Sequence, residues 1–234
     1  MITLVVSPPN LQGDEIRIEG VAYRHLFRAR RLAVGASMRL VDGQGGARFG
    51  RAVRIEASSA LIELGEIAPT NEPTRHLELL APIPKSSRLS WMVEKATEIG
   101  VSAIRLIHSE RAPRNLGVSS LERLHRVAVA AVEQSHRSRV PVITGIHPAS
   151  EIPELLDSIP DRWFLQPGAG GFDAPRSDQR AALLVGPEGG WASVEIEQMT
   201  QWGCKALGLG PTVLRIETAA VIGCAGILID GVFR

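Results

Sequence analysis

Two glycine-rich segments near the carboxyl end of the chain combine residue types that could bind a ligand and do chemistry. The first, Leu183–Trp191, reads LLVGPEGGW, an apolar run followed by three glycines within five residues. Glycines let a backbone come close to a ligand and point its N–H and C=O groups toward it. An ordinary strand-to-helix turn would need only one or two glycines, and it is the alternative interpretation.

The second segment, Leu207–Ala220, reads LGLGPTVLRIETAA and places Arg215 and Glu217 between apolar residues, directly before an apolar helix. Burying charge is costly unless the charge is paired or used in chemistry. One interpretation is therefore a catalytic pair. The other is an Arg215–Glu217 bridge that closes the helix, with Glu217 favoured there by the helix dipole.

The spacing of the glycines and cysteines excludes several common sites. Neither segment fits the GxGxxG pattern of dinucleotide binding or the GxxxxGK[ST] phosphate loop, which disfavours nicotinamide and ATP. Cys204 and Cys224 lack metal-ligand spacing, so we expect two buried thiols and no metal site.

The elements that would position these segments alternate between apolar strands and helices after residue 76. Alternation of this kind predicts a parallel sheet covered by helices on both faces, which binds ligands at the carboxyl ends of its strands. The predicted strands are Leu77–Ala81, Ala103–Ile107, Val140–Ile143, Trp163–Leu165, Leu183–Val185 and Ala206–Leu209. Helices are predicted from Ser86 or Ser87 to Gly100, from Ser119 to His136, and from Ser193 and Glu217 onward.

The first 66 residues instead indicate short strands closed by glycine turns, which is typical of a small barrel. The predicted strands are Ile2–Val6, Glu15–Glu19, Met38–Val41, Arg48–Ile55 and Ala60–Ile67, with one helix at Ala22–Leu32. Residues 66–76 are polar and carry two prolines, which favours a linker. We therefore expect one domain over residues 1–70 and another over 71–234.

Charge is distributed unevenly along the chain. Residues 105–139 carry seven basic against three acidic side chains, whereas residues 140–234 carry six against eleven. A local basic surface suits a phosphate backbone, although genomic base composition would also explain an arginine bias. No apolar run approaches the roughly 18 residues of a membrane span, and no secretory signal opens the chain, so we expect a cytoplasmic protein.

Together, GPEGG at 186–190 and LGPTVLRIETA at 209–219 resemble motifs of the SPOUT methyltransferases and, within them, the RsmE family. The resemblance continues upstream in Lys85 with Glu94–Val101, in Ser109–Arg111 and in Glu133–Pro141. In the first 70 residues, His25, Arg31 and Asp42-Gly43 also resemble family positions. The chain departs from the family pattern at Thr212 and Ile216, and no role is assigned to either side chain.

The resemblance implies an α/β fold in which a C-terminal, trefoil-knotted SPOUT domain with a parallel sheet follows a small PUA-like β-barrel. It implies a homodimer that uses S-adenosylmethionine to methylate nitrogen 3 of a uridine in 16S ribosomal RNA of the small ribosomal subunit. The alternatives are a knotted methyltransferase of another RNA target, such as a tRNA ribose 2′-hydroxyl, and a non-catalytic RNA-binding or ribosome-assembly protein.

Cofactor contacts are expected mostly from backbone groups of the two segments, with a third wall from the end of another strand. The expected residues are Leu165, Gln166, Pro167, Val185, Gly186, Pro187, Glu188, Gly189, Leu209, Gly210, Val213, Leu214, Arg215, Thr218 and Ala219. Nitrogen 3 of uracil is a poor nucleophile while protonated. We therefore expect Arg215 to place a cation on the flanking carbonyls, and Glu217 to accept the proton or to orient Arg215.

RNA contacts are expected from a set of basic residues spread over both domains. These are Arg24, Arg28, Arg30, Arg31, Lys85, Arg111, Arg114, Arg137 and Arg139. Since nitrogen 3 lies on the pairing edge of the base, the target must be unpaired or flipped to be reached.

Overall fold

The computed structural model describes residues 1–84, 86–108, 118–171 and 180–229. The chain forms two compact units, of which the first combines Met1–Glu72 with Val132–Val140. The second combines Pro73–Ala131 with Pro141–Arg234. Three basic residues expected to contact RNA, Lys85, Arg111 and Arg114, lie outside the described residues.

The first unit is built on a curled five-stranded sheet in the order β1-β3-β4-β5-β2, in which only the β1–β3 pair is parallel. The strands are β1 (Ile2–Val5), β2 (Glu15–Glu19), β3 (Ser37–Val41), β4 (Ala47–Ile55) and β5 (Ser59–Ile67), close to the predicted segments. In β2, buried and exposed side chains alternate along the strand. Ile16 and Ile18 are buried, and the charged residues between and beside them are exposed. Two register shifts between β4 and β5 bend the longest strand pair.

The helix expected at Ala22–Leu32 is shorter and begins earlier. A single turn, α1 (Gly20–Tyr23), continues as a wider π-helical turn over Arg24–Ala29. Its apolar face buries Tyr23, Leu26 and Phe27 in the sheet core. The helix ends before Leu32 because Arg31 adopts a φ of 54°, a left-handed conformation that an α-helix cannot continue.

A buried charge cluster ties Val132–Val140 to the rest of the first unit. Arg39 is buried on β3 and donates hydrogen bonds to the carbonyls of His136 and Arg137. Glu72 forms an ion pair with Arg137, with 2.6 Å between Oε2 and Nη2, and accepts the backbone N–H groups of Ser138 and Arg139. Desolvation lowers the pKa of Arg39, and the negative charge of Glu72 opposes that shift.

The second unit contains a fully parallel six-stranded sheet in the order β11-β9-β10-β6-β7-β8. The strands are β6 (Leu77–Pro82), β7 (Ala103–Ile107), β8 (Val142–His147), β9 (Asp161–Leu165), β10 (Ala181–Leu184) and β11 (Lys205–Leu207). Strand β8 begins later than predicted because Val140 belongs to the first unit, where its N–H donates to the carbonyl of Gly43. The parallel sheet predicted from the apolar runs is confirmed.

Helices cover both faces of this sheet. They are α2 (Ser86–Ile99), α3 (Val118–Ser135), α4 (Ile152–Leu156), α5 (Ser193–Gln201) and α6 (Ile216–Leu228). Successive residues of β10 point to opposite faces. Leu184 packs in a cluster with Leu156 of α4 and Met199 of α5, whereas Leu183 lies against Gly223 of α6. Within the described ranges, no helix is long and apolar enough to cross a membrane.

Candidate functional site

The carboxyl ends of β11, β9 and β10 are neighbours in the sheet, and the loops that follow them surround a pocket of about 460 Å³. Parallel-sheet proteins characteristically bind ligands at this edge. The pocket is lined by Arg88, Leu165, Gln166, Pro167, Val185, Gly186, Pro187, Glu188, Gly190, Trp191, Leu207, Leu209, Gly210, Thr212, Val213, Leu214, Arg215, Ile216 and Ala219.

Two glycines of the loop after β10, Gly186 and Gly190, have structural roles, one in packing and one in the turn. A Cβ on Gly186 would lie 3.0 Å from Nε1 of Trp191, so any larger residue would require the indole to shift by a few tenths of an ångström. That Nε1 donates to the carbonyl of Leu165 at 3.1 Å and thereby joins two pocket loops. Gly190 has a φ of +71°, and its N–H donates to Pro187 at 2.8 Å, which closes the turn. The loop's shape is therefore set by packing as well as by backbone freedom.

The loop after β11 is held against the loop after β9. Gln166 N–H donates to Leu207 at 3.0 Å and Gly208 N–H donates to Gly170 at 2.9 Å. A side chain on Gly208 would collide with the backbone carbonyl of Ala169. These contacts explain why β11 ends at Leu207, two residues before the predicted end. The three loops form one connected wall.

Helix α6 begins at the pocket. Arg215 is its N-cap, with an extended backbone, and its carbonyl accepts the N–H of Ala219 at 2.8 Å. The side chain of Arg215 is exposed, while the Glu217 side chain is only 9% exposed. Both residues singled out in the sequence thus lie at the start of one helix, in different environments.

The ion-pair partner of Glu217 is Arg88 of α2, not its sequence neighbour Arg215. The distance from Arg88 Nε to Glu217 Oε1 is 3.4 Å, and that from Arg88 Nη1 to Glu188 Oε1 is 3.6 Å. Arg88 therefore connects the loop after β10 with α6. Within the described residues, no ion pair of Arg215 is formed, and its exposed side chain lines the pocket.

A second recess of about 330 Å³ lies beside the pocket. It is lined by Ser87, Arg88, Trp91, Arg215, Glu217 and Thr218. Arg88 and Arg215 line both spaces. The two residues expected to act in catalysis therefore face this recess, and Arg215 also faces the pocket.

Thirteen of the fifteen residues expected to bind a cofactor line the larger pocket. Of the other two, Thr218 lines the recess instead, and Gly189 is an exposed residue of the turn after β10. Sequence reasoning missed Arg88 and Trp191, together with Gly190, Leu207, Thr212 and Ile216. Trp191 directly follows the glycines and could have been found, whereas nothing in the sequence connects Arg88 with a loop a hundred residues away.

The arginines expected to contact RNA differ in their surroundings. Arg24, Arg28, Arg30 and Arg31 are exposed on the first unit, and Arg28 lies 5.7 Å from the centroid of the Tyr23 ring. Arg139 is half-buried. Arg137 is only 2% exposed and is paired with Glu72, so its expected RNA contact is wrong. Its guanidinium is paired with Glu72 inside the first unit.

The two cysteines are both buried. Burial raises the pKa of Cys204 to about 11 and raises that of Cys224 as well, which keeps both thiols protonated near neutral pH. Among the described residues, no group of three or more His, Cys, Asp or Glu side chains could hold a metal ion.

Known proteins are similar to this chain in sequence and in fold. The family described as RNA methyltransferase domain matches residues 70–228. The ribosomal RNA small subunit methyltransferase E of Mycobacterium bovis is 30% identical over 234 residues, covering 90% of this chain and 86% of the relative.

Two crystal structures extend the likeness to the whole fold. The ribosomal RNA small subunit methyltransferase E of Neisseria gonorrhoeae, bound to S-adenosyl methionine, is 27% identical with a TM-score of 0.85, covering 97% of this chain and 96% of that one. A probable rRNA-methyltransferase from Porphyromonas gingivalis is 28% identical with a TM-score of 0.83, covering 96% and 95%. By sequence and fold, the chain belongs to the RNA methyltransferase family and, within it, to the ribosomal RNA small subunit methyltransferase E group.

Proposed function

We propose that the protein transfers a methyl group from S-adenosylmethionine to nitrogen 3 of a uridine in 16S ribosomal RNA. The pocket at the carboxyl ends of β9, β10 and β11 carries this proposal, because its loops hold the family's most specific motifs. The similar Neisseria gonorrhoeae enzyme binds S-adenosyl methionine, and the curated relatives are named for the small-subunit RNA.

The residues of the pocket fit that cofactor. Its volume of about 460 Å³ lies in the usual range for small-molecule sites. Leu165, Val185, Leu209 and Leu214 give apolar walls for an adenine ring, and the backbone at Gly186 and Gly210 lies open to hydrogen bonding. Glu188 places a carboxylate where a cationic sulfonium or amino group would be favoured.

We assign cofactor binding to the thirteen expected residues that line the pocket, and we add Arg88 and Trp191. Thr218 and Gly189 are left out of that set, because neither lines the pocket. Bound S-adenosylmethionine supplies an electrophilic methyl group, so the chain's own tasks are to orient the acceptor and exclude water.

Arg215 is assigned the electrostatic role in the reaction. Its exposed guanidinium borders both the pocket and the recess, where it can donate to the carbonyl oxygens that flank nitrogen 3. Charge on those oxygens grows as the ring loses its proton, so a cation there favours the nucleophilic form. Glu217 lines the same recess, held by Arg88, and is assigned the role of accepting that proton.

RNA binding is assigned to Arg24, Arg28, Arg30, Arg31 and Arg139 of the first unit, which we take to be a PUA-like barrel. Their exposed or half-buried guanidinium groups suit contacts to phosphates. Arg137 is omitted because it is buried.

Dimerisation is also part of the proposal. Val213 lines the pocket yet is 82% exposed, and a partner subunit covering it would remove an apolar surface from water. Family membership supports this homodimer, a cytoplasmic location, and a trefoil knot in the segments 186–190 and 207–215. Sedimentation of the purified protein tests the dimer, and a monomer at micromolar concentration would contradict it.

The central experiment compares 16S RNA from a strain lacking the gene with RNA from its parent. We expect mass mapping to show one uridine that loses a base methyl group and regains it when the purified protein and S-adenosylmethionine are added. Methylation of a tRNA ribose instead would overturn the assigned target. Calorimetric binding of the cofactor without any transfer would indicate a non-catalytic protein.

A further inference from the structure

Trp91 presents an exposed indole on an otherwise well-packed helix. Its neighbours Leu89, Met92 and Val93 on α2 are at most 1% exposed, whereas Trp91 is 42% exposed and lines the second recess. Ser87 and Arg88 lie four and three residues earlier, so the three side chains share one face of the helix. Nothing in the cofactor pocket uses Trp91, because it is not among the residues that line that pocket.

The recess adjoins the cofactor pocket at two side chains, Arg88 and Arg215. In-line methyl transfer requires the acceptor atom to lie beside the donor, in near-attack geometry. A space that shares Arg88 and Arg215 with the donor pocket lies directly beside it. Its volume of about 330 Å³ falls at the lower end of the usual range for small-molecule sites.

The chemistry of the recess matches a single flipped base. One wall is the indole of Trp91, and base–aromatic stacking is the common way in which proteins hold an unpaired base. The facing residues, Arg215, Glu217 and Thr218, are polar. A pyrimidine has this combination of an apolar face and a polar edge.

We propose that this recess receives the flipped pyrimidine of the RNA substrate, with Trp91 as its stacking platform and Thr218 facing its polar edge. The inference rests on the proposed function, since it names the acceptor site of the same reaction. It also assigns a role to Thr218, which lines the recess and not the cofactor pocket.

Three full-length variants test the proposal: Trp91→Ala, Trp91→Phe and, as a matched control, Val194→Ala. Val194 is another exposed apolar residue of the second unit, 53% exposed on α5 and absent from both linings. For Trp91→Ala we expect kcat/KM for RNA to fall roughly 10- to 100-fold, the loss typical of one base stack, with an unchanged Kd for S-adenosylmethionine. Trp91→Phe should keep kcat/KM within a few-fold of the parent, and Val194→Ala should match it.

Several outcomes would overturn the proposal. Unchanged kcat/KM in Trp91→Ala is one, and an equal loss in Trp91→Phe is another. A change in sedimentation on replacing Trp91 would assign the indole to an interface between copies of the chain. If the parent protein methylates RNA while the variants behave in any of these ways, the proposed function stands and only the base site fails.

A direct measurement covers the case in which Trp91→Ala does not fold. RNA carrying 4-thiouridine at the methylated position is irradiated in complex with the unmodified protein, and the cross-linked peptide is identified by mass spectrometry. We expect attachment within Ser87–Trp91 or Arg215–Thr218, the two segments that line the recess. Attachment elsewhere would contradict the proposal.

Discussion

The cofactor pocket and the adjoining recess are constructed in different ways. The pocket is formed by three loops at the ends of neighbouring strands, and much of its shape comes from backbone conformation and glycines. The recess is formed by side chains of α2 and of the first turn of α6. Backbone geometry in a loop is encoded locally, whereas a recess between helices depends on which residues tertiary packing brings together.

This difference implies that the two spaces can be damaged separately. Substitutions in the recess should lower turnover and the affinity for RNA. Substitutions in the glycine loops should lower the affinity for the cofactor. Arg88 and Arg215 line both, so they are where the separation should be weakest.

The largest effect is expected for Arg215→Ala. Removing the cation next to the reacting base should lower kcat roughly 100- to 1,000-fold, as loss of a preorganised donor does in other enzymes. The Kd for S-adenosylmethionine should rise much less than kcat falls, although Arg215 lines the cofactor pocket as well as the recess. Single-turnover methylation and calorimetry measure the two quantities. Full turnover with normal cofactor binding would refute the electrostatic role, and Arg215→Lys is the charge-preserving control.

Gly186→Ala should weaken cofactor binding more than it lowers kcat. A Cβ there would lie 3.0 Å from the Trp191 ring, so the indole must move and its hydrogen bond to Leu165 must weaken. Overpacking of this kind costs about 1–3 kcal/mol, which corresponds to a cofactor Kd raised roughly 5- to 150-fold. Gly171→Ala is the control, since an added Cβ at Gly171 meets nothing within 4 Å. Equal Kd values for the two variants would show that Gly186 does not shape the pocket.

Neutralising exposed arginines of the first unit should weaken RNA binding and leave the Kd for the cofactor unchanged. Replacing Arg24, Arg30 and Arg31 by Gln removes three charges, which should reduce the slope of log K against log salt for RNA by about two to three. The charge-matched control replaces Arg17, Arg51 and Arg54, exposed residues on strands β2 and β4 of the same unit. If both triple variants lose the same slope, RNA binding reflects net charge and not this surface.

The smallest effects concern the two ion pairs of Arg88. Arg88→Met leaves Glu217 buried without its cation and should lower the free energy of unfolding by about 1–3 kcal/mol. Glu188→Gln breaks a pair whose carboxylate is 66% exposed and should cost less than about 1 kcal/mol. Urea unfolding separates the two, and adding Glu217→Gln to Arg88→Met should recover part of the loss. Equal losses of unfolding free energy in Arg88→Met and Glu188→Gln would mean that burial does not make the Arg88–Glu217 pair stronger than the Arg88–Glu188 pair.

Sequence patterns predict much of this molecule because its strands are short apolar runs and its loops are marked by glycines. The sequence places the end of β9 near the loops after β10 and β11, and in the sheet these three strands are neighbours with aligned carboxyl ends. Trp91 could not be assigned, because an aromatic residue at helical spacing usually belongs to the core. The Arg88–Glu217 ion pair could not be predicted either, because proximity in the sequence favours Arg215 as the partner of Glu217.

Buried charges are equally difficult to predict from the sequence. Arg137 resembles its exposed neighbours in sequence, and only the position of Glu72 beside it identifies a buried pair. The start of β8 was misplaced for a related reason, since the chain first satisfies a hydrogen bond between Val140 and Gly43. Both features depend on contacts between segments far apart along the chain.

The participation of Val132–Val140 in the first unit has a consequence for how the protein is made. On a ribosome, residues 1–72 emerge first, yet Arg39 and Glu72 then lack the backbone groups and the guanidinium that they bind in the finished fold. About seventy more residues must be translated before these partners arrive, which takes several seconds at ordinary elongation rates. The amino-terminal unit therefore cannot complete its folding until residues 132–140 have been made, although most strands of the second unit are translated only after that point. A nascent chain arrested before residue 132 should stay open to proteases.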